Sequence, residues 1–126
     1  MSNTNPKIER RKHKRFEVPI GIFVSFKPHG AKLGEVINIS RDGLAFRYFG
    51  GKEPSDGSNK LNIFLEEGGF HLNDIPFRTV ADFGTYQIPF TSVTMRRSSV
   101  QFGELAHHQM SRLEGLIQKH TIERAT

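Results

Sequence analysis

The sequence predicts a mainly β fold: a small six-stranded antiparallel β-barrel with a basic N-terminal arm and one C-terminal α-helix. Three observations predict it. Apolar and polar residues alternate through most of the chain, the period of a strand with one buried face. Clusters of Gly, Pro, Asn and Asp break that alternation at short intervals, as turns do. After Phe102-Gly103 the period changes to helical spacing, which marks an amphipathic helix packed on the sheet.

Taken in order, residues 1–15 read as a mobile arm with no apolar face, and residues 16–126 as a single domain. Phe16, Val18, Ile20, Ile22, Val24 and Phe26 alternate with Glu17, Pro19, Gly21, Ser25 and Lys27, with Phe23 the one apolar intruder. That pattern predicts a long first strand. Pro19 lacks an amide proton and argues for an edge position or a bend near its start. Pro28-His29-Gly30 is a turn, residues 31–38 a second strand and Gly43–Phe49 a third. Residues 50–59 are a loop, and Leu61, Ile63 and Leu65 define a fourth strand. Two further strands occupy roughly 70–83 and 91–103, with limits blurred by Pro76 and Pro89. Met110, Leu113, Leu116 and Ile117 share one face of a helix over about 105–122. Gly115 weakens that helix, so docking on the barrel must supply much of its stability.

Composition narrows the function classes. The chain has no cysteine, which excludes disulfides, thiolate metal sites and a thiol nucleophile. No apolar run approaches the ~18 residues of a membrane span, and the polar N-terminus is no secretory signal; cytoplasmic residence is the expectation. The hydrophobic fraction is only 36%, offset by eleven Phe, each of which removes a large area from water when buried. The formal charge is +5, and residues 7–15 alone account for it with six cations (Lys7, Arg10, Arg11, Lys12, Lys14, Arg15) against Glu9. The positive charge is therefore a local device.

Two patterns carry the functional signal. Arg11-Lys-His-Lys-Arg15 places two arginines four residues apart on the arm, and Asn38-Ile-Ser40-Arg-Asp-Gly43 is a tight polar turn between strands. A spacing of four puts Arg11 and Arg15 on one side of a helical turn or of an extended segment. An arginine fork matches the O6/N7 edge of guanine, stacks on purines and pairs with phosphate oxygens. Asn38 can address a guanine edge or shape its own turn, and Ser40 can reach a phosphate or a backbone amide. Gly43 allows φ > 0 and a close backbone approach. Seen alone, the turn is also explained as a simple hairpin connection, since Asp-Gly is a common turn dipeptide.

The arm before the first strand resembles the RxxxR segment of PilZ domains, and Asn38–Gly43 resembles their [D/N]xSxxG signature. Val100-Gln-Phe-Gly-Glu-Leu with the helix behind it is similar to the last barrel strand and terminal helix of that family. The resemblance covers about residues 8–120. The family commonly has Gly where this chain has Ser99, a departure expected to fall on the structural side. The resemblance implies a PilZ-like barrel that binds the bacterial second messenger cyclic di-GMP through Arg10, Arg11, Arg15, Asn38, Ser40 and Gly43 and passes that state to a protein partner. Within it, Arg10 is associated with a stacked ligand pair; its alternative is a solvated cation.

Other constellations carry less. Adjacent His107 and His108 cannot both address one metal from a regular helix, and no P-loop, Gly-x-Ser-x-Gly or dinucleotide fingerprint occurs. Asp42 and Glu35 have nothing to fix them as an acid/base pair. Neither a cofactor nor a catalytic role is expected. Arg96 and Arg97 border the ligand or end a solvated strand. Two alternatives stand beside the receptor reading: a ligand-independent adaptor of the same fold, and a barrel that binds single-stranded nucleic acid without selectivity.

Overall fold

The computed structural model describes residues 14–19, 21–26, 32–50 and 60–123. The arm as far as residue 13, with Arg10 and Arg11, lies outside the described residues, as do residues 51–59 of the predicted loop. The elements run β1 (Phe16–Glu17), β2 (Ile22–Phe26), β3 (Lys32–Ile39), β4 (Gly43–Phe49), β5 (Lys60–Leu65), β6 (His71–Gln87), β7 (Thr94–Phe102), α1 (His107–His120) and β8 (Ile122–Glu123). Strands follow the order β2-β5-β6-β7-β4-β3, and β2 pairs again with β3, which closes a six-stranded antiparallel barrel. Beyond the ring, β1 joins the edge of β3 and β8 joins β1.

The predicted first strand is two strands. β2 pairs with Lys32–Glu35 of β3, whereas β1 pairs with Asn38 and Ile39 further along the same strand. One edge of β3 therefore serves both. Between them the chain leaves the ladder at Pro19, which has no amide proton to donate, and at Gly21, whose φ of 96° favours glycine. The sixth strand is longer than alternation predicts because β6 changes partners. Its first residues, up to Pro76, pair with β5, and from Phe77 onward it pairs with β7. Pro76 sits where the exchange occurs, so its missing donor disrupts neither ladder, and its carbonyl accepts the Gly103 amide at 2.7 Å.

Alternation delivers the core as expected. Ile22, Val24, Leu44, Leu61, Ile63 and Ile75 are fully buried. Phe46 packs against Phe26 and Tyr48 with ring centroids 5.1 and 5.7 Å apart. Phe23, out of phase with its neighbours, finds a partner outside the core by stacking on the cross-strand Phe64.

Helix α1 inserts Leu113, Leu116 and Ile117 into the core. Two side chains fasten it to the start of β6: Gln109 donates to the Asn73 carbonyl at 3.1 Å, and Arg112 to the His71 carbonyl at 2.6 Å. Ala106 at the helix start has no side-chain acceptor, but its amide donates to Gln109 Oε1 at 2.9 Å. The helix is shorter than the predicted span because residues 122 and 123 leave it to form β8. Among the described residues no helix is long and apolar enough to cross a membrane.

A Cβ added at Gly115 meets nothing within 4 Å. Gly115→Ala is therefore expected to stabilise the fold by about 0.5–1 kcal/mol through lower backbone entropy of the unfolded chain. Chemical denaturation of the two proteins checks this.

Candidate functional site

The turn between β3 and β4 is built from its own polar groups. The Ser40 amide donates to the Gly43 carbonyl at 2.8 Å. The Ser40 hydroxyl donates to Asp42 Oδ1 at 2.6 Å and lies 3.3 Å from the Asp42 amide, which donates back to it. Ser40 is fully buried, so in this conformation its hydroxyl serves the turn, one of the two uses open to it from sequence. The Asp42 carbonyl accepts the Phe102 amide at 2.8 Å, which ties the turn to β7.

Gly43 is required for proximity. Its φ is not in the left-handed region, but a Cβ there would run into the Val100 carbonyl of the neighbouring strand. Of the two reasons for glycine that the sequence offered, the close backbone approach is the one at work.

Arg15 lies immediately before β1, and β1 is registered so that Glu17 faces Asn38 and Phe16 faces Ile39. That two-residue ladder brings the root of the arm to the signature turn. The Arg15 guanidinium donates to Asn38 Oδ1 at 2.9 Å, joining two half-buried groups from patterns 23 residues apart. Arg41, inside the turn, pairs with Glu114 of α1 at 2.7 Å. Both side chains are about half exposed, so this pair contributes orientation more than stability.

The strand register defines the outer surface beside Asn38. In one cross-strand row Asn38 is followed by Ala45, Ser99 and Ala81, all small. In the next row Glu35 is followed by Arg47, Arg97 and Phe83. Ser99 thus stands two strands from Asn38, about 10 Å away at the usual strand spacing. The departure from the family's glycine falls in the row that contains a candidate site residue, where a hydroxyl faces the same surface. Arg97 is on this face, and it forms no ion pair among the described residues, whereas Arg47 pairs with Glu35 at 3.2 Å.

Arg96 points the other way. Its Nε donates to Asp82 Oδ1 at 2.7 Å, and the Tyr48 hydroxyl donates to Asp82 Oδ2 at 2.7 Å. This triad lies between β4, β6 and β7, toward the end of β4 away from the Asn38–Gly43 turn. Burial, aided by the hydrogen bond to the Asp82 carboxylate, pushes the Tyr48 hydroxyl up to about 12. The doublet Arg96-Arg97 therefore divides by strand alternation into an interior residue and a surface residue. Sequence reading missed Asp82 as the interior partner; its place on a strand whose other residues are largely uncharged was the available signal.

A groove of about 520 Å³ runs between Phe16, Arg41, Glu114, Ile117, Gln118 and Thr121. The cation lining it is matched by Glu114, which leaves little attraction for an anion. Among the described residues no cluster of His, Asp and Glu is arranged to hold a metal. Glu35 and Asp42 are engaged separately, with Arg47 and Ser40.

A closed antiparallel barrel, a strand-anchored arginine at its polar turn and a terminal helix define the class of this domain. Neither a family model nor a curated protein matches the sequence. Solved structures match its fold. The PilZ domain with c-di-GMP of YcgR from Escherichia coli has a TM-score of 0.65 and 15% identity, covering 89% of this chain and 92% of that one. The K. pneumonia MrkH–c-di-GMP complex has a TM-score of 0.63 and 17% identity, covering 87% of this chain and 51% of that one. The Bacillus subtilis inhibitor of motility MotI/DgrA has a TM-score of 0.57 and 16% identity, covering 89% of this chain and 53% of that one. The fold is that of PilZ domains. The chain spans 45% of the YcgR chain solved in complex with c-di-GMP, and about half of MrkH and MotI/DgrA.

Two outcomes follow from this geometry. Gly43→Ala is expected to cost about 1–3 kcal/mol, the range for overpacking a tight site, and thermal unfolding measures it. Tyr48 favours its neutral form in the folded state, so its contribution is complete below the ordinary tyrosine value of 10.0 and is lost as pH rises toward about 12. Tyr48→Phe should flatten that part of the alkaline fall in stability, read from denaturant midpoints on either side of about pH 10.

Proposed function

We propose that this domain is a receptor for cyclic di-GMP that signals through a protein partner. The carrying observation is the hydrogen bond from Arg15 to Asn38, which sets the two signature patterns side by side at the rim of an outer face floored by small residues. A diguanylate with two phosphates suits that arrangement. Arg11 and Arg15 supply forks for guanine edges and phosphates, and Arg10 is placed in sequence to stack on a second ligand. Asn38 offers a carboxamide to a guanine edge, while Ser40 and Gly43 hold the turn in shape. The fold likeness to YcgR and MrkH, both solved with c-di-GMP, supports the same reading. Ligand bridging between the arm and the Asn38–Gly43 turn would alter the surface offered to the partner.

Calorimetric titration with cyclic di-GMP, with cyclic di-AMP, GTP and a single-stranded oligonucleotide as controls, tests this. Selective saturable binding is expected, with a shallow salt dependence compared with a polyanion binder. Arg15→Ala and Asn38→Ala should each weaken it by roughly 1–3 kcal/mol, and the Arg11→Ala/Arg15→Ala double variant should abolish it with the fold intact. Affinity unchanged in the double variant refutes the site. A stoichiometry of two ligands per chain would bring Arg10 into it.

A further inference from the structure

Arginines border the outer face beside Asn38, and most of them have partners. Arg15 donates to Asn38, Arg47 pairs with Glu35, and Arg78 donates to Gln101. Arg97 makes no hydrogen bond or ion pair among the described residues, although it is only partly exposed. A guanidinium drawn partly out of water without an anion is unfavourable. The register adds to the cost, because Arg47 stands directly opposite Arg97 across the β4–β7 pair, and like charges so placed repel. Glu35 answers one of these two cations, from the far side of Arg47. On the neighbouring strand β6, Asp82 is engaged by Arg96 and Tyr48. The row Glu35–Arg47–Arg97 therefore holds one positive charge in excess, and it sits on β7.

That charge is well placed. Arg97 and Ser99 are same-face neighbours on β7, about 7 Å apart along the strand. Ser99 belongs to the row of small residues that begins at Asn38 and continues through Ala45 to Ser99 and Ala81. A ligand held at the Arg15–Asn38 junction and lying along this row reaches the foot of Arg97. Alanine and serine offer little to hold it there, so its far end must be fixed from the flank.

We propose that Arg97 is a further binding residue, which takes a phosphate of cyclic di-GMP on the side of the small-residue floor away from Arg15. This rests on the receptor reading above and adds a contact from a strand paired on both edges, one that needs no movement of the arm. Calorimetric titration of the full chain with cyclic di-GMP tests it, comparing the wild type with Arg97→Ala, Arg97→Lys and Lys119→Ala. Arg97→Ala should raise Kd roughly 10- to 100-fold, the worth of a hydrogen bond between charged groups, without lowering the thermal midpoint. Arg97→Lys should recover most of that loss, because lysine serves a phosphate as a point charge. Lys119→Ala removes the same charge from the exposed side of α1 and should leave Kd unchanged, since distant surface charges are screened.

A wild type that binds while Arg97→Ala keeps its affinity overturns this proposal and leaves the receptor reading standing. So does an equal loss in Arg97→Lys, which marks a guanine-edge contact, or in Lys119→Ala, which marks a general field. A loss in Arg97→Ala that tracks a lowered thermal midpoint also overturns it, since Arg97 then serves the fold. A wild type that does not bind overturns both readings.

Discussion

The architecture depends on how β3 divides its edges. Barrel closure needs β2 on one edge of β3, and β4 already holds the other. The root of the arm must then take what remains of the first edge, beyond the point where β2 departs. This forces the break at Pro19–Gly21, and it fixes β1 opposite Asn38 and Ile39. The position of Arg15 beside the signature turn is a product of backbone pairing, and the side-chain hydrogen bond to Asn38 finishes an approach that the ladder has already imposed. A tight turn completes the arrangement from the other side, with Gly43 pressed so close to Val100 that a side chain would not fit.

Inside the barrel the two ends are treated differently. Apolar residues of α1 close one, where Leu113 and Leu116 are fully buried. Toward the other, a tyrosine, an aspartate and an arginine satisfy one another's hydrogen-bonding groups. Removing either charged member would leave the other's charge without its partner, whereas removing the tyrosine hydroxyl leaves the ion pair in place. Strand alternation explains why two adjacent arginines have unlike duties: Arg96 completes this interior set and Arg97 faces outward beside Arg47.

Much of this was legible in the sequence. Period-two alternation located the barrel strands and the buried faces, because a half-buried antiparallel strand writes its burial into every second residue. The Asn38–Gly43 turn and the helix with its apolar stripe were equally plain. The break after Glu17 was not, since apolar residues recur at every second position from Phe16 to Phe26; only Pro19 hinted at it. β8 was invisible because a two-residue strand has no period to detect. The extension of β6 past residue 83 was hidden by exposed side chains at Val80, Phe83 and Tyr86, which depart from the polar-out pattern. For the candidate site, Arg15 and Asn38 could be singled out by residue type, but their contact depends on a register set by distant pairings. Ser99 looked remote at 61 positions beyond Asn38 and shares its row only because β7 lies beside β4.

The C-terminal segment has a mechanical consequence. After α1 the chain turns at Thr121, whose hydroxyl donates to the Ile117 carbonyl, and β8 then runs along β1. The same helix holds the signature turn through Glu114 and Arg41. One rigid rod is thus hitched to both flanks of the Arg15–Asn38 junction, by a backbone ladder on one side and an ion pair on the other. A rod fixed to both flanks holds their separation, which makes the helix a brace across a junction whose groups it does not itself supply.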